Sequence, residues 1–207
     1  MAFVKKHLEQ EVTSFPSFDN LQEAIDYFQK YDDFEHRKYA LEEMVAFENG
    51  ASFLVEVLSD TTTGKAIDAE VAAVLATMDP DEAPIEEVME LLKLHNAYIR
   101  NLAISVLQDY GEAIKYYIVK FLIGDDRDLR IFAINVLGDV SFPESRDMLI
   151  ELLEGEADIN VAMTAVDYMA EIGEAEDVAL LESLKEHFNH DPYVVFGVDN
   201  AIRMIQG

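Results

Sequence analysis

The chain has 207 residues, half of them apolar, with 42 acidic against 15 basic side chains and a formal net charge of −27. Length and apolar content support a sizeable core and argue against disorder. The charge argues against a nucleic-acid backbone or an anionic membrane surface as partner, because both repel a polyanion. The same acidity favours a basic partner, and it serves solubility equally well. There is no cysteine, hence no disulfide, thiol catalysis or thiolate metal site, which fits a reducing cytosol. MAFVKKHLEQEV lacks the apolar core of a secretory signal, no run reaches the eighteen apolar residues of a membrane span, and no Asn-x-Ser/Thr sequon occurs. The expected address is cytoplasmic.

In chain order, Phe3–Val12 is predicted as a short amphipathic helix broken by SFPSFD. Asp19 or Asn20 then caps a helix over Leu21–Tyr31 with Ala24, Ile25 and Phe28 inward. Residues 1–31 read as an N-terminal cap. Beyond them a repeat begins. Ala40, Val71, Ala103, Ala133, Ala165 and Val198 recur at intervals of 31, 32, 30, 32 and 33 residues. Four positions before them stand His36, Ile67, Ile99, Leu129, Val161 and Val194, and four after them Met44, Leu75, Leu107, Leu137, Met169 and Ile202. Residues four apart share a helix face, so these columns predict one buried stripe per repeat, with His36 as the lone polar exception.

A second helix follows in each repeat. Its columns are Leu58, Leu92, Leu122, Leu153 and Leu184; three residues earlier Val55, Met89, Val119, Ile150 and Leu181; four earlier Leu54, Val88, Ile118, Leu149 and Leu180. Asn49-Gly50, Asp79 to Pro84, Gly111, Phe142-Pro143 and Gly173 supply the turns. The clearest unit is 125–153, where one helix carries Leu129, Ala133, Val136 and Leu137, Gly138 and SFPES stop it, and Arg146–Glu154 follows. Asp191-Pro192 sets the cap and first residue of the last helix. Helices this short are marginal alone, so each pair must cover its neighbour, which is the mark of a solenoid.

These residues resemble HEAT-like repeats, in particular the short bacterial kind also found in phycobilisome lyases. The pattern is roughly Asp, two residues, Val-Arg, two residues, Ala, three residues, Leu-Gly. Asp126, Leu129, Arg130, Ala133, Leu137 and Gly138 match it best. Asn96, Ile99, Arg100, Ala103 and Leu107 form a second copy, and Asp33, Arg37, Ala40 and Met44 a third. Val195, Ala162 and Asp68 replace the arginine elsewhere. The resemblance covers about residues 32–206 and implies an all-α, right-handed α-solenoid of about five helix pairs and a final helix. Spanning 1–207, it reads as one domain. The acid is expected to cap the helix start, and the arginine to reach an acid of its own or a neighbouring repeat.

The resemblance also implies that the second helices line a concave side. Their solvent-facing columns are Glu56, Glu90, Lys120, Glu151 and Glu182, and one turn earlier Ser52, Glu86, Tyr116, Asp147 and Val178. Together they make one ridge, acidic except at Tyr116 and Lys120. Glu56, Glu86, Glu90, Tyr116, Lys120, Asp147, Glu151 and Glu182 are therefore the expected partner-binding residues, with Tyr116 as anchor. The alternative is an ordinary solvated face.

Other motifs yield no chemistry. His187-x-x-His190-Asp191 offers too few ligands for zinc and falls in a predicted turn. Asp125-Asp126-Arg127-Asp128 lacks the glycine and closing glutamate of a calcium loop. No phosphate-binding glycine loop or GxSxG occurs, and adjacent acids such as Glu42-Glu43 do not build a glycosidase pair. No catalytic residue, metal or cofactor is assigned. The reading is a non-enzymatic interaction scaffold or adaptor of a bacterial-type cytoplasm, binding a protein with a basic patch. Nucleic acid and membrane are not expected partners. Val195 and Phe196 on the last helix suggest homodimerisation over Val194–Ile205. A lyase or cofactor-handling chaperone is the alternative implied by the resemblance. A DNA glycosylase of the same repeat class would need a basic face that this chain lacks.

Overall fold

The computed structural model describes residues 15–60, 62–138, 140 and 142–207; the helix expected over Phe3–Val12 lies outside them. Among the described residues there are twelve α-helices and no strand. The chain divides into two compact units, one up to Gly50 and one from Ala51 to Gly207.

The first unit contains α1 (Leu21–Lys30) packed on α2 (Phe34–Met44). Asn20 caps α1, its side chain accepting the Glu23 amide, and Asp33 caps α2 by accepting that of His36. Ala24 and Phe28 are buried on α1, and Ala40, Leu41 and Met44 on α2. His36, polar in an otherwise apolar column, has a local reason. Its ring stacks on Tyr31 at 4.4 Å, meets Phe15 edge-on at 5.4 Å, and Nδ1 lies 2.6 Å from Asp33 Oδ1. These His36 hydrogen bonds hold the Asp33 carboxyl below its usual range. Tyr39 closes the cluster, stacked on Phe15 and donating to the Pro16 carbonyl at 2.7 Å.

The second unit is an α-solenoid of two helix layers. One layer holds α4 (Lys65–Ala76), α6 (Ala97–Asp109), α8 (Arg127–Gly138), α10 (Ile159–Ile172) and α12 (Pro192–Gln206), each packed on the next. The other holds α3 (Gly50–Ser59), α5 (Ile85–Glu90), α7 (Lys115–Leu122), α9 (Glu144–Gly155) and α11 (Val178–His187). Helices α5, α7, α9 and α11 each pack on the following member of the first layer. The core is thus a continuous seam between the layers. Every predicted first-helix column residue is buried except His36 and Leu129, which are half-buried. The leucine column Leu58, Leu92, Leu122, Leu153 and Leu184 is buried throughout, each side chain contributing roughly 1.5–3 kcal/mol.

Helix starts follow the predicted acids. The amide side chain of Asn96 and the carboxylates of Asp126, Asp158 and Asp191 each accept one or two amide hydrogens from the first turn of α6, α8, α10 and α12. Each cap is worth about 1 kcal/mol. Pro192 opens α12, where its missing N–H costs nothing. The divergent repeat is the uncapped one: α4 begins after Gly64 at φ +90°, and Asp68, standing where arginine was expected, is buried and accepts the Thr63 hydroxyl at 2.6 Å.

Four expectations are corrected. Helix α9 starts two residues before Arg146, at Glu144. His187 closes α11 instead of lying in the turn, which is made by Asn189 and His190 at φ 52° and 55°. Val119, in an apolar column, is 39% exposed. The arginine-to-acid ladder forms at one rung. Arg130 donates to Glu156 of the next repeat at 2.8 and 3.2 Å and to the Gly124 carbonyl. Arg100 instead donates to the Leu94 carbonyl and covers the Phe132 ring, while Arg37 lies over Phe28. An aromatic face there satisfies the guanidinium's flat surface in place of a carboxylate.

Candidate functional site

The second layer presents the candidate surface. Each of its helices turns its leucine column inward, so residues two and six positions earlier must face out. Glu56, Glu86, Glu90, Tyr116, Lys120, Asp147, Glu151 and Glu182 are all exposed. Ser52 and Val178, at the two ends of the same ridge, are half-buried.

Polar bridges tie consecutive helices of this layer together. Ser52 of α3 donates to Glu87 of α5 at 3.1 Å. Lys120 of α7 donates to Glu86 of α5 at 2.7 Å and lies 3.7 Å from Glu90. Lys115 of α7 pairs with Glu144 of α9. Arg146 of α9 forks onto Asp177, just before α11, at 2.8 and 2.6 Å, and reaches Glu176 at 2.7 Å. The hydrogen bond and charge of Lys120 hold the Glu86 carboxyl below its usual range, and Glu86 raises Lys120 in return. Burial alone would push the Asp177 carboxyl up, but the Arg146 hydrogen bonds and charge and the Glu174 amide outweigh it and hold it down. The ridge's single lysine is therefore already paired with two of its own acids, Lys93 pairs with Glu90 besides, and along the whole ridge six acids stand against that one lysine.

Sequence reasoning brought Glu86, Glu90 and Lys120 onto one ridge, and the structure joins them into one ion-pair group. It missed the rungs formed by Lys115, Arg146 and Asp177. These occupy a single position, seven residues before the leucine column, where the change from Arg146 to Asp177 was a readable signal; Glu144, the partner of Lys115, stands outside that column. It also missed two shallow grooves. One, of about 400 Å³, lies between α3 and α5 beside Glu56 and Glu90; the other, of about 270 Å³, lies beside Lys93, Lys120 and Phe121. Neither was visible in the sequence, because both are gaps between helices.

The other candidate chemistry dissolves into structure. His187 Nε2 meets the Glu156 carbonyl at 3.1 Å, His190 pairs with Glu186 at 3.0 Å, and Asp191 is spent as a cap. Among the described residues no group of three or more histidine or acidic side chains is arranged to hold a metal. No helix of the described residues is long and apolar enough to cross a membrane.

Residues 116–195 match the family model described as HEAT repeats. No curated protein matches the chain. Among solved structures, an engineered protein, Northeast Structural Genomics Consortium target OR329, shares 19% identity over 90% of this chain and 96% of its own, with a TM-score of 0.43. The designed armadillo repeat protein YIII(Dq.V1)4CPAF, in complex with the peptide (KR)4, shares 15% over 89% and 91%, with a TM-score of 0.42. The complex of CpcE and CpcF of phycocyanin lyase from Nostoc sp. PCC7120 shares 16% over 94% and 99%, with a TM-score of 0.34. At these scores the likenesses carry no weight beyond the helices already described.

Proposed function

We propose, from the premise that this chain is a HEAT-like repeat protein, that it is a non-enzymatic scaffold or adaptor whose acidic second-layer face binds a protein carrying a basic patch. The observation that supports this is the joint exposure of Glu56, Glu86, Glu90, Tyr116, Lys120, Asp147, Glu151 and Glu182 on helices that polar bridges hold in register. A face ordered before the partner arrives loses less conformational freedom on binding, and a field of one sign speeds encounter with a basic surface. The same field disfavours nucleic acid and anionic membrane as partners. The absence of cysteine suits a reducing, cytoplasmic setting. Of the two residues that suggested homodimerisation, Phe196 is 75% exposed and Val195 half-buried; Tyr193 and Met204, 53% and 55% exposed on the same helix, join Phe196, and we place a second copy of the chain there.

The test is reversal of Glu86, Glu90, Glu151 and Glu182 to lysine. Capture of the partner from native lysate, followed by mass spectrometry, should fall by at least about tenfold, since several desolvated charge pairs are lost at once. Unchanged capture by a folded variant rejects the acidic face.

A further inference from the structure

We infer that the partner segment is amphipathic: its apolar side chains lie on a stripe of α7, and its lysines or arginines meet the acids on either side. This deepens the reading above and rests on it. Tyr116, Val119 and Ile123 are 83%, 39% and 76% exposed. Their spacing of three and four puts them on one face of α7 and its C-cap residue Ile123, a run of about 10 Å at 1.5 Å per residue. Single exposed apolar residues are ordinary; three on one face of a short helix are not, and Lys120 is the charged side chain that shares this face.

The neighbouring repeats act as an internal control. In the column of Ile123 the other second helices have Ser59, Lys93, Glu154 and Lys185. In the column of Val119, Val55, Met89 and Leu181 are buried and Ile150 half-buried. Only α7, central in its layer, turns apolar groups outward at these positions. Solenoid packing does not require this, since the other helices pack without it.

The border chooses the occupant. Glu86 and Glu90 of α5 flank the stripe on one side, where Lys120 and Lys93 pair with them, and Asp147 and Glu151 of α9 flank it on the other, all exposed. A second copy of this chain would bring acids against acids, and an anionic lipid surface would meet the same repulsion. A basic amphipathic segment satisfies both the apolar centre and the acidic rim. An aromatic anchor ringed by polar groups that shut out water is how binding energy is usually concentrated.

Fluorescence anisotropy with two labelled synthetic peptides tests this on the full chain. One alternates Lys-Arg pairs with leucines; the other has serine at each leucine. The leucine peptide is expected to bind at least about tenfold tighter. The double variant Val119→Ser, Ile123→Ser should erase that advantage and leave the serine peptide's affinity unchanged. If the double variant does not fold, Ile123→Ser alone carries the test, its side chain being largely in solvent. Equal binding of both peptides to the native chain, or an advantage that survives the substitutions, overturns the stripe. The fourfold glutamate-to-lysine variant separates the two readings. If it loses the serine peptide, the acidic face stands even where the stripe falls. If it keeps the serine peptide, the acidic face falls as well.

Discussion

At the scale of single residues, Gly138 shows how one position can carry two meanings. It ends α8, as a glycine after a helix commonly does, but its φ is not left-handed. What demands glycine is the Tyr168 ring: a Cβ at 138 would lie 1.7 Å from Cε1 and 2.1 Å from Cζ. Gly155 ends α9 with nothing within 4 Å of its would-be Cβ. Gly138→Ala is therefore expected to cost about 1–3 kcal/mol, the range for forced overpacking. Gly155→Ala should gain about 0.5 kcal/mol by restricting the unfolded chain. Urea unfolding of the two variants decides it; equal effects would mean that the Tyr168 ring moves aside freely. His36 makes a similar point from the other side. Its polarity broke the column pattern, and the Tyr31, Phe15 and Asp33 contacts account for it.

Between elements, caps and bridges divide the labour. The caps at Asp33, Asn96, Asp126, Asp158 and Asp191 set where helices begin, and the bridges set how they sit on one another. The Arg146–Asp177 fork is the most buried bridge of the second layer, with Asp177 only 5% exposed. Its carboxyl is held below the ordinary value, so its contribution to stability is full above the unfolded pKa of about 4 and is lost as pH falls through the folded value. Asp177→Asn is expected to cost roughly 2 kcal/mol near neutral pH, because it leaves Arg146 partly unpaired. The gap between native and variant chains should begin to narrow as pH falls below the unfolded value of about 4 and close only below the depressed folded value, where the native carboxyl is protonated too. Thermal unfolding across pH 3 to 7 reads this directly; a gap that stays constant or widens in acid rules it out.

For the molecule as a whole, the charge of −27 opposes compaction by self-repulsion. Salt at 0.5 M screens charges beyond a few ångströms. The melting temperature is therefore expected to rise by several degrees between low salt and 0.5 M NaCl, although the surface ion pairs weaken. Repulsion also bears on the second copy proposed at α12. Light scattering at high protein concentration should show a dimer mass that grows with salt, and a monomer mass at every salt concentration counts against it. A falling melting temperature would mean that local pairs such as Lys120–Glu86 outweigh the global field.

The sequence by itself determined the helices, their period and their inward faces, because those depend on residues three or four apart whose effect is local. It also determined most of the caps, since a cap needs only its own next turn, but it left Asp19 and Asn20 as alternatives where the structure uses Asn20. Most ridge residues were legible for the same reason, facing out being the complement of facing in, but Ser52 and Val178 at its ends are half-buried. Tertiary structure alone decided which charges meet, because Arg130 and Glu156, or Arg146 and Asp177, stand 26 and 31 residues apart and come together only through stacking. It alone decided that Arg100 and Arg37 rest on aromatic rings, that Val119 stays in the open, and that glycine at 138 makes room for a tyrosine of the next repeat. Each of these depends on how closely one helix approaches its neighbour, a distance no single helix encodes.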